Sequence, residues 1–299
     1  MSMIPFDDRD GVIWLNGEFV PWRDAKLHVL SHGLHYASCV FEGERSYNGA
    51  IFQMREHHER LHNSADIMGF EIPYSVDEID AAAQSLLREN GIVDGYIRPV
   101  AWRGSEMMGV SAQQTRINVA IAAWEWPSYF SPEARLKGIR LKTSPWRRPA
   151  PDCAPVHAKA AGLYMICTLS KHAAEKEGYQ DALMLDYRGR IAEATGANIF
   201  LLQDGKLHTP VPDCFLDGIT RRTVIDLARR RGVEVIERPI MPDELAKTAE
   251  IFITGTAAEV TPVGEIDGHR FTVGRLSQDL MTAYSELVRN QPKADVNAA

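Results

Sequence analysis

Two Asn-Gly dipeptides, Asn16-Gly17 and Asn48-Gly49, do most to restrict how this chain can fold. Each interrupts a pair of short β-rich runs, in GVIWLNGEFVPW and in GERSYNGAIFQM. A type I′ turn needs positive φ at both central residues, which Asn and Gly accept at little cost, and it joins adjacent antiparallel strands. A chain that opens on two tight hairpins does not begin as a doubly wound parallel sheet, whose strands are joined by long crossovers.

Helical signals follow. REHHERLHNSADIMGF puts Leu61, Ala65 and Met68 at helical spacing and stops at Gly69. SVDEIDAAAQSLLRENG offers Ser75 as N-cap, acids in the first turn and Gly91 as a stop. GYIRPVAWRG and TRINVAIAAWEW then read as strands, and IRLKTS as another between two proline-rich stretches. LYMICTLSKHAAEKEGY is an amphipathic helix, with Lys159 expected at a helix start just ahead of it. The run 181–210 reads as strand, turn, strand, turn, strand, and TRRTVIDLARRRG as a helix. Helix and strand mix without regular alternation, which predicts an α+β fold. The composition shift places a domain boundary near residues 126–135 and a connecting loop at about 145–157.

Composition narrows the function classes. The 299 residues carry a formal net charge of −7, which argues against nucleic acid as partner. Arg147-Arg148 and Arg229–Arg231 read as short solvated clusters. Cys39, Cys153, Cys167 and Cys214 form no C-x-x-C pair and no zinc spacing, so no metal is expected. The start is acidic, without the apolar segment of a signal peptide, and no run approaches the roughly 18 apolar residues of a membrane span. Reduced thiols in a cytoplasm are the simplest expectation.

The chemistry turns on PVHAKAAGLYMIC, where Lys159 stands alone among small and apolar neighbours, with Tyr164 five residues on. The ordinary reading is a lysine with a packed stem and a solvated head. The other is an amine held in a pocket for imine chemistry. Three further stretches supply what a phosphorylated pyridine aldehyde would need. Gly218 precedes Ile219-Thr220 at a helix start, whose free N–H groups suit a phosphate. Glu193 stands between Ala192 and Ala194, where a buried carboxylate needs a partner such as a protonated pyridine nitrogen. Arg60 offers a guanidinium. Each has a plain alternative: an ordinary helix start, a strand-end glutamate in water, a surface arginine.

Taken in order, HGLHYASCVFEG, YIRP, AKAAGLY, Glu193 with Gly196-Ala197-Asn198, GITR and GTAAEVTPVGEID resemble the signature of class IV, fold type IV, aminotransferases. They look most like the branched-chain amino acid enzymes, and the resemblance runs through nearly the whole chain. It implies a two-domain fold like that of D-amino acid aminotransferase. Residues 1–128 would form the smaller N-terminal domain, 129–157 a connection, and 158–299 the larger cofactor-binding pseudo-barrel. It implies pyridoxal 5′-phosphate, with Lys159 forming the Schiff base and carrying the proton, Glu193 on the pyridine nitrogen and Tyr164 on the ring hydroxylate. Arg60, the Ile219 and Thr220 amides and Thr256 would bind the phosphate.

The same resemblance implies transamination of leucine, isoleucine and valine with 2-oxoglutarate. Phe41, Val110, Trp126 and Tyr129 would line the apolar wall. Tyr36, Tyr96 and Arg98 would meet substrate carboxylates, and the Thr256-Ala257 amides the α-carboxylate. Val110 and Tyr36 would serve the neighbouring subunit, implying a homodimer. Where the family shows G-M-G before the valine, this chain has Met107-Met108-Gly109, a departure that bears on substrate range. D-amino acid or (R)-amine transaminases and aminodeoxychorismate lyase share the fold, and Tyr36 with Arg98 favours the branched-chain reading. A non-catalytic cofactor-binding protein is the alternative of another class, against which Lys159, Tyr164 and Glu193 all stand intact.

Overall fold

A computed structural model describes residues 4–126 and 132–291, apart from the side chains of 132, 134 and 135. These divide into two compact units, one within Met1–Pro127, Ala158–Gly162 and Gln291–Ala299, the other within Ser128–His157 and Leu163–Asn290.

The first unit starts with the hairpin β1 (Val12–Leu15) and β2 (Glu18–Pro21), turning at Asn16 (φ 52°) and Gly17 (φ 100°). After α1 (His32–Tyr36) and β3 (Cys39–Phe41) comes the second hairpin, β4 (Glu44–Tyr47) and β5 (Ala50–Ile51), turning at Asn48 and Gly49 with φ of 53° and 82°. Both Asn-Gly turns therefore form as the sequence predicts. α2 (Met54–Ile67) buries Leu61 and Ala65 completely. α3 (Val76–Glu89) opens on a full capping box between Ser75 and Glu78. β6 (Gly95–Arg103) and β7 (Ile117–Glu125) complete an all-antiparallel sheet in the order β2-β1-β7-β6-β4-β5, with β3 also on β6.

The second unit runs α4 (Pro132–Lys137), β8 (Ile139–Arg148), α5 (Met165–Lys176), β9 (Asp181–Asp186), β10 (Ile191–Ala194), β11 (Asn198–Gln203) and β12 (Lys206–Thr209). It continues with α6 (Ile219–Arg230), β13 (Val235–Glu237), β14 (Glu250–Gly255), β15 (Glu259–Ile266), β16 (His269–Arg270) and α7 (Arg275–Arg289). Its mixed sheet follows β10-β9-β8-β15-β14-β11, and a further β10–β11 pairing returns the path to its start. That closure, made at Glu193↔Asn198, gives the pseudo-barrel. Ile139, Leu141, Leu183, Ile199, Leu201, Ile251, Ile253 and Val263 form one buried cluster, with the period-2 spacing of a shared sheet face.

Three expectations change. The proline-rich stretch after IRLKTS is not all loop: β8 continues to Arg148, crossing Pro145 through a register shift against β9. The run 181–210 contains four strands, because the turn at Asp204-Gly205 splits its last part into β11 and β12. Lys159 does not begin a helix: it lies in extended backbone, Ala160 bridges Val40, and a 3-10 turn (Ala161–Tyr164) intervenes before α5. Residues 158–162 accordingly belong to the first unit, while β8, inside the segment expected as a connection, belongs to the second.

Candidate active site

In the first unit the Lys159 backbone is held at both ends. Its N–H donates to Ser64 Oγ on α2 at 3.0 Å, and its carbonyl accepts from Phe41 N–H at 3.1 Å. Nζ lies 5.1 Å from the centre of the Phe41 ring. The Arg98 guanidinium covers the same ring at 4.7 Å and donates to Tyr96 Oη at 3.1 Å. Tyr96 packs against Trp126 with ring centres 5.8 Å apart. Lys159, Phe41, Tyr96, Arg98 and Trp126, chosen from separate segments, thus form one cluster. Gly43 is essential to it, since a Cβ there would sit 1.9 Å from Tyr96 Oη.

One turn before Ser64 on α2, Arg60 makes a bidentate pair with Glu42, Nε–Oε1 2.6 Å and Nη2–Oε2 2.8 Å. Glu42 is fully buried and also meets His57 Nδ1 at 2.7 Å. Burial alone would raise its pKa, but Arg60 and His57 hold it well below the usual carboxylate range. Tyr36 and Val110 stand apart from the lysine cluster, 44% and 85% exposed in the single chain. They are joined through their own neighbourhood, with Tyr36 O–H donating to Met108 O at 3.4 Å.

In the second unit Glu193 is buried on β10, with Arg148 Nε 3.3 Å from its Oε1. Burial works against the Arg148 charge, yet Glu193 raises its pKa above the ordinary value. Arg148 is 4% exposed, so it is not the solvated arginine that its sequence neighbours suggest. Asn198 links Glu193 to α6: its Nδ2 donates to Leu216 O at 3.0 Å and approaches Glu193 Oε2 at 3.5 Å, while its Oδ1 accepts from Gly218 N–H at 3.2 Å. Gly218 is the N-cap of α6 and supplies no side-chain cap, so the buried Ile219 and Thr220 amides open the helix as anion donors. A Cβ at Gly218 would meet Asn198 Oδ1 at 2.2 Å.

Tyr164 is half-buried at the N-cap of α5, and Thr256 and Ala257 lie in the three-residue loop between β14 and β15. Tyr129 falls outside the described residues. The sequence alone assigns no site role to Glu42, Gly43, Arg148 or Asn198. Glu42, Gly43 and Asn198 lie inside the family-like motifs, and that adjacency is their signal. Arg148 carries none, because an arginine pair looks the same whether solvated or buried.

The sequence profile of the amino-transferase class IV family matches residues 39–266. This chain belongs to that family. The class IV aminotransferase is 44% identical over 294 residues to the branched-chain-amino-acid aminotransferase of Pseudomonas aeruginosa, covering 96% of each chain. Among solved structures it resembles the Escherichia coli branched-chain amino acid aminotransferase at TM-score 0.92 and 39% identity, over 97% of this chain and 100% of that one. The branched-chain amino acid aminotransferase of Thermobaculum terrenum, solved in its PLP form, matches at TM-score 0.85 and 31% identity, over 94% of both chains.

Each unit by itself offers groups that suit a phosphorylated pyridine aldehyde. The first offers a half-buried amine, Lys159, on a fixed backbone. The second offers a buried carboxylate, an uncapped helix N-terminus, and the Thr254 hydroxyl, buried and without a hydrogen-bond partner among the described residues.

Proposed function

We propose that this class IV aminotransferase moves the amino group of L-leucine, L-isoleucine or L-valine to 2-oxoglutarate, giving the branched 2-oxo acid and L-glutamate. The observation that carries the reading is the Lys159–Phe41–Arg98–Tyr96 cluster, which sets an amine and a guanidinium on opposite uses of one aromatic surface. The branched side chain of a donor and the distal carboxylate of glutamate must occupy the same space in turn. Phe41 and Trp126 offer the first a wall, and Arg98 with Tyr96 offers the second a charge-assisted partner.

Pyridoxal 5′-phosphate supplies, when bound, an aldehyde for the amino group and a ring that accepts the electron pair released at Cα. Lys159 would anchor it and would move the proton to and from Cα, a task that a backbone fixed by Ser64 and Phe41 suits. Glu193, 3.3 Å from Arg148, would pair with the protonated ring nitrogen, and Tyr164 would orient the ring hydroxyl. Arg60, the Ile219 and Thr220 amides and Thr256 would bind the phosphate, and the Thr256-Ala257 amides would bind the α-carboxylate. Tyr36 and Val110 complete the substrate pocket of a second subunit in a homodimer, which their exposure in the single chain supports.

All four cysteines are free thiols, and we place the reaction in the cytoplasm on that basis. Among the described residues no helix is long and apolar enough to cross a membrane. Initial rates with 2-oxoglutarate and a donor panel test the proposal. Leucine, isoleucine and valine should exceed D-alanine and (R)-1-phenylethylamine by roughly a hundredfold or more in kcat/KM. Faster turnover of D-alanine or the amine would replace the branched-chain reading with a D-amino acid or amine specificity.

A further inference from the structure

The loop that carries Met107-Met108-Gly109 is tied to the rest of the unit by Arg116 N–H on Glu106, by Tyr36 O–H on Met108 O, and by one buried imidazole. His32, the first residue of α1, is 3% exposed. Its backbone N–H donates to Gly104 O at 2.8 Å, and its Nε2 lies 3.0 Å from Gly109 O. One residue therefore brackets both ends of Gly104–Gly109. Its Nδ1 lies 3.0 Å from Ser38 Oγ, and its ring stacks on Tyr36 with centres 4.6 Å apart.

The chemistry of these partners fixes the imidazole. A carbonyl only accepts, so Nε2 carries the proton that meets Gly109, and in the neutral ring Ser38 O–H donates to Nδ1. Ser38 is available because Ala37 ends α1 in the left-handed conformation (φ 55°) and turns the chain back toward the ring. Gly33 lets α1 lie close on β6, since a Cβ there would meet Trp102 Cβ at 2.9 Å. The ring thus joins Tyr36, on one side, to the backbone next to Val110 on the other.

We propose that His32 is a positioning residue for substrate choice, fixing the Met107–Val110 loop and the Tyr36 ring as one rigid pair. The inference rests on the assignment of Tyr36 and Val110 to the substrate pocket. His32 touches neither substrate nor cofactor in this proposal; it acts through Gly109 O and the Tyr36 ring. Without the Nε2–H bond the loop would keep its bonds at Gly104, the exposed Arg116 N–H bond to Glu106 and the long Tyr36–Met108 bond. Gly109 would lose its tie to the ring, and the apolar wall at Val110 would lose its register against Tyr36.

Three holoenzyme variants test it. His32→Phe keeps a stacking ring but no donor, His32→Gln restores an N–H near the Nε2 position, and Ser38→Ala frees the tautomer while leaving the ring. His32→Phe should raise KM for leucine and valine about five- to tenfold with kcat within about twofold, the effect of one lost hydrogen bond. His32→Gln should recover most of that change, and Ser38→Ala should shift KM in the same direction by less. The cofactor absorbance should not change in any of them. Amide hydrogen exchange by mass spectrometry should be several-fold faster across 104–111 in His32→Phe.

Exchange needs no substrate, so it separates this proposal from the branched-chain reading. Unchanged exchange in His32→Phe and Ser38→Ala overturns the anchor whichever substrate the enzyme uses. Faster exchange with unchanged KM for every donor turned over overturns the role in substrate choice. Equal loss of kcat and melting temperature, without rescue by Gln, overturns it in favour of a purely structural histidine.

Discussion

At the scale of single residues, the site is decided by which charges have a buried partner. Glu193 and Arg148 are both buried and 3.3 Å apart, so neither can be changed alone without cost. In the proposed role Glu193 pairs with the protonated ring nitrogen, so Glu193→Gln should lower kcat roughly a hundredfold or more. It also leaves Arg148 without its countercharge, which costs about 3 kcal/mol of stability. The double variant Glu193→Gln, Arg148→Met should regain most of the lost melting temperature while turnover stays low. If it regains turnover as well, Glu193 acts only through the fold. Arg98 is the complementary case. Arg98→Ala removes a charge-assisted hydrogen bond, so kcat/KM for 2-oxoglutarate should drop tenfold to a hundredfold, about 1.5–3 kcal/mol. The leucine half-reaction, which has no distal charge, should change much less. Equal loss in both would assign Arg98 to the α-carboxylate or to packing over Phe41 and Tyr96.

At the scale of elements, α2 organises the first unit. It carries Ser64 against the Lys159 backbone, Arg60 against Glu42, and His58 against two acids. The His58 ring is fully buried, with Nε2 3.0 Å from Glu44 and Nδ1 2.5 Å from Asp80. Desolvation by itself would lower its pKa, but Glu44 and Asp80 raise it to about 9. A histidine with a raised folded-state pKa contributes stability that is fully present below 6.5, its ordinary value, and lost as pH climbs through about 9. Melting temperature should therefore fall between those limits, and the slope should shrink in His58→Gln. An unchanged slope would mean that the ring is neutral in the folded protein. The sequence announced α2 well, because Leu61, Ala65 and the Gly69 stop (φ 73°) act locally. It announced Ser75 and both Asn-Gly turns for the same reason. It misjudged β8 and the start at Lys159, where the outcome depends on distant partners. β8 survives Pro145 because β9 and β15 pair with it, and Lys159 stays extended because Val40 and Phe41 claim the backbone around it.

At the scale of the molecule, motifs spread from HGLHY to GTAAE fall into two compact units, and the sequence could name them only through their order. Lys159 belongs to the first unit through a five-residue return, Ala158–Gly162, while Tyr164 and Glu193 belong to the second. No local signal marks such a return; it follows from tertiary pairing of Ala160 with Val40. The central claim is that Lys159 carries transamination from branched-chain donors to 2-oxoglutarate, and separate half-reactions test it most directly. The holoenzyme is mixed with L-leucine alone, and conversion of the aldehyde-form absorbance to the amine form is followed in stopped flow. 2-Oxoglutarate is then added, which should restore the first spectrum and release one equivalent of glutamate per site. The account predicts complete conversion in the wild type and loss of nearly all of it in Lys159→Ala. Borohydride should fix the cofactor on the peptide containing Lys159. Conversion by D-alanine but not by leucine, or full activity in Lys159→Ala, would contradict it.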